Sequence, residues 1–286
     1  MYAVAGVSGK TGAAVAAALL ARGEAVRVIV RDAGKAEAWR AKGAEVAVAD
    51  LADEAALTAA LRGTAGVYLL VPPVWGASDP IGAGTALGRT LARAAKAAQV
   101  PHVVLLSSVG AHQPSGTGPI VIVHRAEVAL REAGVPTTAL RASYFAENWG
   151  SVVPVIKSDG VVPSFIAADQ ALPQVATADI GALAAALLVD GPHGQRVVEL
   201  AGPADLPPTE VAAAASRALG RPVQLVTPPL EAAEGALIGA GVPAPWAALY
   251  AEMYRGIASG RVAAEPGQPT RRGTTPLADT IAALLS

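Results

Sequence analysis

The sequence predicts an α/β protein with a doubly wound parallel sheet, followed by a smaller and mostly helical C-terminal lobe. Two features carry this prediction. Short runs of β-branched or wholly apolar residues alternate with stretches rich in Ala, Leu, Arg and Lys, and three glycines at three-residue intervals follow the first apolar run. Such alternation is typical of parallel strands that are buried on both faces and joined by right-handed crossover helices.

Each strand is predicted from an apolar run and each helix from the segment that follows it. The expected strands are "YAVAG" (2–6), "AVRVIV" (25–30), "EVAVAD" (45–50), "GVYLLV" (66–71), "HVVLLSS" (102–108), "TTALRA" (137–142) and "RVVELAG" (196–202). The expected helices are 10–22, 33–42, 53–62, 84–98 and about 122–133. Segments rich in Gly and Pro predict loops at 72–84, 112–119, 202–208 and 264–276.

Composition argues against several classes of function. The formal net charge is −1, so we expect neither nucleic acid nor an anionic membrane as a partner. The chain has no cysteine and four scattered histidines, so we expect no disulfide and no metal site. The mean hydropathy of +0.42 is mostly due to alanine, and the apolar runs are shorter than the roughly 20 residues that span a bilayer. The N-terminus does not resemble a signal peptide, so a cytoplasmic location is expected.

The segment "GVSGKTG" (6–12) follows the first strand and opens the first helix. In the spacing G-x-x-G-x-x-G, the first glycine allows a tight turn, the second lets the backbone approach a pyrophosphate, and the third permits close packing of helix and strand. The helix N-terminus adds free N–H groups and the positive end of a dipole. A glycine-rich turn without ligand is the alternative. The expected phosphate-binding residues are Gly6, Ser8, Gly9, Lys10, Thr11 and Gly12.

The second strand ends in "VIVRD", where the residue that discriminates NADP from NAD is expected. Arg31 is well placed for a 2′-phosphate, with Lys10 or Lys35 as additional cations. The alternatives are that Arg31 is a solvated charge and that Asp32 either caps the next helix or binds a ribose, which would favour NAD. We predict NADP(H) as the cofactor.

Two further strand ends are expected to contact the cofactor. Asp50 follows the third strand and is predicted to contact the adenine amino group with Leu51 packing nearby, whereas Asp53 fits better as a helix cap. Val71 and Pro72 follow the fourth strand and are predicted to line the nicotinamide side, unless they form a plain loop exit. We therefore predict an NAD(P)-binding Rossmann domain at 1–147 and a substrate-binding lobe at 148–286, with a strand near 196–201 returning to the main sheet.

The residues resemble the atypical short-chain dehydrogenase/reductases of the NmrA-like type, and within them the NAD(P)H quinone oxidoreductase type 2 and triphenylmethane dye reductase group. The likeness covers nearly the whole chain. It rests on "GVSGKTG" (6–12), "VIVRD" (28–32), "VADLAD" (48–53), "EVALREAGVPTTALRASYFAENW" (127–149), "GVPAPWAALYAEMYRGIASG" (241–260) and "TPLADTIAALL" (275–285). The resemblance implies NAD(P) binding and a reductase-like pocket between the lobes.

The Tyr-x-x-x-Lys pair of the wider superfamily is missing, because the residues four positions after the tyrosines are Gly6, Pro72, Asn148, Tyr254 and Ala258. Without a phenol activated by lysine, alcohol–ketone interconversion is disfavoured. The absence of this pair fits conjugated acceptors, which delocalise the charge of the incoming hydride. For such acceptors, the position of the acceptor relative to the cofactor matters more than a strong general acid.

The candidate catalytic residues are Ser107, Ser108, His124 and Tyr144. Ser107 and Ser108 end the fifth strand, where such sheets bind ligands; local hydrogen bonding is the alternative. His124 lies near the position of the superfamily's catalytic pair and is a candidate proton donor, although a structural role is the alternative.

The candidate substrate-binding residues are Trp75, Phe145, Asn148 and Trp149. The three that follow the sixth strand, with Tyr144, are expected to face the cleft, where aromatic rings stack on a flat acceptor; packing of the lobes is the alternative. Trp75 is expected on a lid or as a partly exposed anchor. Another aromatic set, Trp246, Tyr250 and Tyr254, is predicted to form lobe core or a dimer face.

These observations predict an NADPH-dependent reductase that transfers hydride to a quinone-like or other conjugated small molecule. Two alternatives remain open: an NADP-binding redox sensor of the NmrA type without turnover, which would not need a Tyr-Lys pair, and an imine or enone reductase of a biosynthetic pathway. A homodimer is a further expectation.

Overall fold

Strands and helices alternate along the first half of the chain as the sequence predicts. The computed structural model describes residues 1–286 apart from the side chain of Lys35. The strands are β1 (Tyr2–Ala5), β2 (Val26–Val30), β3 (Glu45–Val48), β4 (Gly66–Leu69), β5 (Val103–Ser108), β6 (Thr137–Ala142), β7 (Tyr144–Phe145), β8 (Val161–Pro163), β9 (Leu172–Val175), β10 (Gln195–Ala201), β11 (Asp205–Leu206), β12 (Gln224–Val226) and β13 (Thr270–Arg272). The helices are α1 (Lys10–Ala21), α2 (Glu37–Arg40), α3 (Glu54–Leu61), α4 (Pro80–Ala97), α5 (Ile120–Glu132), α6 (Val153–Asp159), α7 (Thr177–Asp190), α8 (Pro208–Leu219), α9 (Ala233–Gly239), α10 (Ala244–Ala258) and α11 (Leu277–Leu285).

The chain forms two units that are interleaved in sequence. The first consists of Met1–Ser107, Val121–Arg141 and Ile180–Val198, and the second of Ser108–Ile120, Ala142–Asp179 and Glu199–Ser286. The predicted single boundary between residues 147 and 148 differs from this division. The last residues of β5, β6 and β10 already belong to the second unit. The alternation of strands and helices is lost only near residue 148, so it does not show that the chain first enters the second unit at Ser108.

In the first unit the strand order is β10-β6-β5-β4-β1-β2-β3. Strand β1 pairs in parallel with both β2 and β4, so the order reverses between β1 and β4. At such a switch point, open α/β sheets bind ligands beyond the carboxyl ends of the strands. Both faces of the sheet are covered: the paired residues Ala3 and Val67 on one face, and Val4 and Tyr68 on the other, are completely buried.

Helix α4 begins at Pro80, four residues before the predicted start and inside the predicted loop 72–84. The Asp79 carboxylate accepts a hydrogen bond from the Gly82 N–H at 2.8 Å. An aspartate cap followed by proline in the first turn is a standard helix start, so the Asp-Pro pair was the signal to extend the helix. The predicted helix 33–42 is instead a 3₁₀ turn at Ala33–Lys35 followed by α2.

The second unit combines helices with short strands. Strand β9 pairs with β7 and β11, β8 pairs with β12, and the last residues of β10 pair with β13. A cluster of buried residues that includes Trp149, Ile156, Val211 and Ile281 forms its core. The prediction of helices in this part of the chain is correct, but it lacked these strands of two to four residues. Of the described helices, none has the length and apolarity needed to cross a membrane.

Candidate active site

The three glycines after β1 differ in what surrounds them. Gly6 has a φ of +71°, and Gly12 lies so close to β1 that a Cβ there would sit 2.5 Å from the Ala5 carbonyl oxygen. A Cβ on Gly9 would lie 3.4 Å from the nearest protein atom, the Gly6 oxygen. Gly6 therefore makes the turn and Gly12 the close approach, as the spacing predicts, while the space beside Gly9 is open to a ligand.

The start of α1 presents backbone N–H groups beside this open space. Gly9 is the residue before the helix, and no side-chain oxygen from the described residues caps it. Ser8 and Lys10 are exposed here, whereas Thr11 is buried. An uncapped helix N-terminus with an adjacent lysine is suited to a phosphate.

The two residues considered for cofactor choice, at the end of β2, have different surroundings. Asp32 Oδ1 accepts a hydrogen bond from the Gly34 N–H at 2.8 Å, so Asp32 caps the following 3₁₀ turn. Arg31 is exposed, and no hydrogen bond or ion pair with another described residue restrains its guanidinium group. The side chain of Lys35 lies outside the described part of the structure. The capping alternative for Asp32 is therefore correct, and Arg31 is accessible to an anion.

The other predicted cofactor residues also lie just beyond strand ends of the first unit. Asp50 is exposed and accepts a hydrogen bond from the Ala52 N–H at 2.9 Å, whereas Asp53 caps α3 through the Ala56 N–H. Leu51, Val71 and Pro72 are half-buried. Trp75 is 48% exposed, and its assignment to a lid over the cofactor stays a prediction.

Ser107, predicted to be catalytic, belongs instead to a buried ionic network. It is 3% exposed, and its hydroxyl donates a hydrogen bond to the Glu127 carboxylate. Arg141 binds the same carboxylate through two nitrogens, at 3.0 and 2.7 Å. The catalytic assignment of Ser107 is therefore corrected: its hydroxyl is held by Glu127. The missed signal was an arginine inside the apolar run "TTALRA", because a buried cation requires an acidic partner.

His124 is half-buried on α5, in the first unit. It makes an interaction of its own, and its proposed role as a proton donor stays a prediction.

A cavity of about 450 Å³ lies within the second unit, a volume typical of small-molecule sites. Its walls are mostly apolar, and none of the described lining residues is charged. The lining residues are Ser108, Val109, Ile120, Ser143, Tyr144, Phe145, Asn148, Ser151, Leu172, Pro173, Leu237, Val242, Tyr250, Met253, Tyr254, Ile257 and Val262. The predicted residues Ser108, Tyr144, Phe145 and Asn148 are therefore brought together here.

The phenols of Tyr144 and Tyr254 are joined by a hydrogen bond in the wall of this cavity, and Asn148 also bonds to Tyr144. Burial raises the pKa of Tyr144 well above its usual range, and the neighbouring Tyr254 raises it further. Burial also raises the pKa of Tyr254 and of Tyr250. All three phenols remain protonated near neutral pH, so they donate hydrogen bonds but are poor sources of a proton.

Trp246, Tyr250 and Tyr254, predicted to form core or a dimer face, have different surroundings, and Tyr254 packs against a buried cluster that includes Ile257. Trp246 is 2% exposed and belongs to the core, but Tyr250 and Tyr254 line the cavity. Residues four apart share a helix face, which the sequence shows; whether that face meets core or cavity depends on the elements packed against it.

Trp149, predicted to bind substrate, does not line the cavity. It is 4% exposed, and its Nε1 donates a hydrogen bond to Gln174 Oε1 at 2.7 Å. Its ring centroid lies 6.0 Å from that of Tyr144. Trp149 packs in the core of the second unit and supports Tyr144 from there, whereas the alternative considered for it was packing of the lobes against each other.

These features define a class of protein: a nucleotide-binding fold of the Rossmann type whose second unit holds an apolar, tyrosine-lined cavity. The chain belongs to the NmrA-like family, whose model matches residues 2–260.

Three similar proteins illustrate the relationship. An NAD(P)H azoreductase of Xenophilus azovorans is 31% identical over 257 residues, which cover 89% of this chain and 86% of the relative. A (4-alkanoyl-5-oxo-2,5-dihydrofuran-3-yl)methyl phosphate reductase of Streptomyces griseus is 33% identical, with 98% and 96% covered. The structure of an NADPH-dependent quinone oxidoreductase from Escherichia coli complexed with NADPH is 29% identical, covers 100% of both chains and has a TM-score of 0.83.

Proposed function

We propose that this protein is an NADPH-dependent reductase that transfers a hydride to a quinone or another conjugated, electron-poor acceptor. The observation that carries the proposal is the cavity of the second unit, whose described walls are apolar and aromatic and contain no charged side chain. Such walls favour a flat, uncharged or charge-delocalised ring. Two relatives, the azoreductase and the quinone oxidoreductase, are named for acceptors of this kind.

The residues of the first unit fit NADPH. The open space beside Gly9 and the uncapped start of α1 suit its pyrophosphate, and the accessible guanidinium group of Arg31 suits its 2′-phosphate. Asp50, Leu51, Val71 and Pro72 would contact the remainder of the cofactor. When bound, NADPH supplies a hydride, that is, two electrons with one hydrogen nucleus.

The residues of the second unit would hold the acceptor and exclude water from it. Phe145 offers an aromatic ring, while Tyr144, Tyr254 and Asn148 offer hydrogen-bond donors. A quinone that accepts one hydride also requires one proton to become a hydroquinone. Since the raised pKa values of the tyrosines make them poor acids and His124 does not line the cavity, we assign this proton to solvent.

The experiment is a turnover assay with the purified protein. With menadione as acceptor, we expect one hydroquinone per NADPH oxidised, and NADPH used in preference to NADH. Tight NADPH binding without oxidation across quinones, azo dyes and triphenylmethane dyes would contradict the proposal and favour a redox sensor. A sensor should also bind NADP⁺ and NADPH with nearly equal affinity.

A second candidate is reduction of an activated carbon–carbon double bond. It is favoured by the 33% identity, over nearly the whole chain, to a reductase named for an unsaturated furanone phosphate. The same cavity would accept the conjugated ring. Faster turnover of an alkanoyl butenolide phosphate than of any quinone would support this candidate over the first. A cytoplasmic location and a homodimer stay predictions.

A further inference from the structure

The side chain of Ser143 is buried in the cavity wall without a hydrogen-bond partner. Ser143 lies between β6 and β7 and is 4% exposed. Its backbone N–H donates to the Leu200 carbonyl at 2.8 Å, so this N–H is not available to a ligand. Among the described residues, none lies within hydrogen-bond reach of that hydroxyl.

The neighbouring hydroxyl groups differ in this respect. Ser108 donates to the Val109 carbonyl at 3.0 Å, Ser151 donates to the Asn148 carbonyl at 2.9 Å, and the phenols of Tyr144 and Tyr254 bond to each other. A buried hydroxyl without a partner costs on the order of 1–3 kcal/mol. An orphaned donor in the wall of a cavity therefore indicates where a ligand supplies an acceptor atom.

The space next to Ser143 extends beyond the first cavity. A second cavity of about 300 Å³ in the same unit shares six lining residues with the first: Val109, Ser143, Leu172, Pro173, Ile257 and Val262. Ser143 thus lies where the two cavities adjoin. A ligand atom bonded to its hydroxyl therefore has space on more than one side.

We propose that the Ser143 hydroxyl is the subsite for a carbonyl oxygen of the acceptor. The inference rests on the proposed function and specifies its substrate class: flat conjugated acceptors that carry an oxygen, as quinones and enones do, rather than dyes that carry none.

The same hydrogen bond assists the chemistry. As the hydride adds to the acceptor, an electron pair moves onto the carbonyl oxygen, and a proton from solvent then converts this oxygen into a hydroxyl. Negative charge on the oxygen strengthens the hydrogen bond from Ser143 before that proton arrives. The bond is thus stronger in the transition state than in the ground state, which is the condition for accelerating the reaction.

The test compares Ser143→Ala with Ser164→Ala. Ser164 is also buried, at 5% exposed, but its hydroxyl donates to the Ile166 carbonyl and accepts from the Ile166 N–H, and it does not line the cavity. Steady-state kinetics with menadione, the thermal midpoint and NADPH affinity are measured for wild type and both variants. Crystal violet serves as the acceptor without oxygen. If the protein reduces crystal violet, its KM is measured; if not, its inhibition constant against menadione is measured instead.

Ser143→Ala should lower kcat/KM for menadione about 10- to 100-fold. Its thermal midpoint should not fall, NADPH affinity should be unchanged, and the crystal violet constant should stay within about twofold. Ser164→Ala should show the opposite pattern, a lower thermal midpoint with unchanged kcat/KM.

Equal activity of wild type and Ser143→Ala with menadione would overturn the subsite, and so would equal losses for menadione and crystal violet. Absence of menadione turnover in the wild type would instead count against the proposed function, so the two failures are distinguishable.

Discussion

Two adjacent residues at the end of β2, Arg31 and Asp32, have opposite surroundings although the sequence makes both candidates for cofactor choice. The Asp32 carboxylate is used by its own backbone turn, whereas the Arg31 guanidinium group is accessible. Because the Asp32 carboxylate already accepts a hydrogen bond from its own turn, we do not expect it to bind the ribose of the cofactor. At the scale of single residues, the arginine is therefore the feature that should discriminate NADPH from NADH.

We expect Arg31→Ala to raise the dissociation constant for NADPH about 10- to 100-fold, the effect of losing a charge-assisted bond to a phosphate. The constant for NADH, which lacks the 2′-phosphate, should change less than about twofold. Fluorescence titration with both nucleotides measures this. Arg22→Ala, which removes an exposed arginine just after α1, is the matched control and should change neither constant. Equal weakening of both nucleotides by Arg31→Ala would refute the assignment.

Some residue roles could be predicted from the sequence because they depend on local spacing. Gly6, Gly12 and the cap at Asp53 are of this kind, since a turn, a close approach or a helix start involves only neighbours in the chain. Ser107 and Trp149 were misassigned because their partners, Glu127 and Gln174, are 20 and 25 residues away. Sequence alone does not show which distant side chain meets a given hydroxyl or indole.

In the loop between β1 and α1, adding a methyl group to a glycine tests whether that glycine is needed for the fold or for ligand binding. At Gly12 the added methyl would meet the backbone of β1, which cannot move without displacing the helix. At Gly9 it would make an ordinary contact and project into open space. The same substitution therefore has different consequences at two positions of one element.

We expect Gly12→Ala to lower the free energy of unfolding by about 1–3 kcal/mol, the usual cost of overpacking. Gly9→Ala should leave the free energy of unfolding within about 0.5 kcal/mol of wild type but weaken NADPH binding at least tenfold, because the methyl group occupies the space assigned to the pyrophosphate. Urea unfolding and nucleotide titration of both variants check this. NADPH affinity that survives Gly9→Ala would argue against the loop as the phosphate site.

Among the elements, the long alternating strands and helices were predictable and the short strands were not. A run such as "TTALRA" is apolar over six residues and coincides with β6. Strands β8 and β12 have three residues each and exist because two segments about 60 residues apart pair in parallel. Three residues are too few to show the alternation of apolar and polar residues that identifies a strand. The pairing partner of such a strand depends on how the whole second unit packs.

For the molecule as a whole, the alternation of strands and helices in the sequence does not show that the two units are interleaved along the chain. The chain enters the second unit at Ser108, returns at Val121 and leaves again at Ala142. The excursion over 108–120 was correctly predicted to contain a loop, but nothing in its composition shows to which unit it belongs. The residues of the cavity come from all three segments of the second unit, which is why only part of the site could be predicted.

Global stability should depend on pH through His102, which is completely buried in the first unit with Nε2 2.9 Å from Thr138 Oγ1. Burial lowers the pKa of His102 from 6.5 to about 4, and the nearby Arg196 contributes to this shift. The unfolded chain therefore binds a proton more readily than the folded one. Stability is fully present above about pH 6.5 and is lost as the pH falls towards 4.

We expect this residue to account for about 1–3 kcal/mol of the free energy of unfolding lost between pH 7 and pH 4. Urea titrations at several pH values should show a shallower decline for His102→Asn than for wild type. His124→Asn, which removes a half-buried histidine of the same unit that does not contribute to the lowered pKa of His102, should keep the wild-type slope. Parallel curves for His102→Asn and wild type would show that His102 does not carry this dependence.

The central claim is that the cavity of the second unit holds the acceptor, and neighbouring residues of α9 allow a direct test. Leu237 lines the cavity and is half-buried, whereas Ile238 is 44% exposed and does not line it. A bulky side chain at the first position narrows the cavity, and the same change at the second extends into solvent. Both variants leave the glycine loop of the first unit unaltered.

The measurement is kcat/KM for menadione in Leu237→Trp and Ile238→Trp, with NADPH affinity determined in parallel. We predict at least a tenfold loss for Leu237→Trp, since an acceptor that no longer fits loses its alignment for hydride transfer. NADPH affinity should stay unchanged in both variants, and Ile238→Trp should retain full activity. Full activity in Leu237→Trp, or an equal loss in both variants, would contradict the claim.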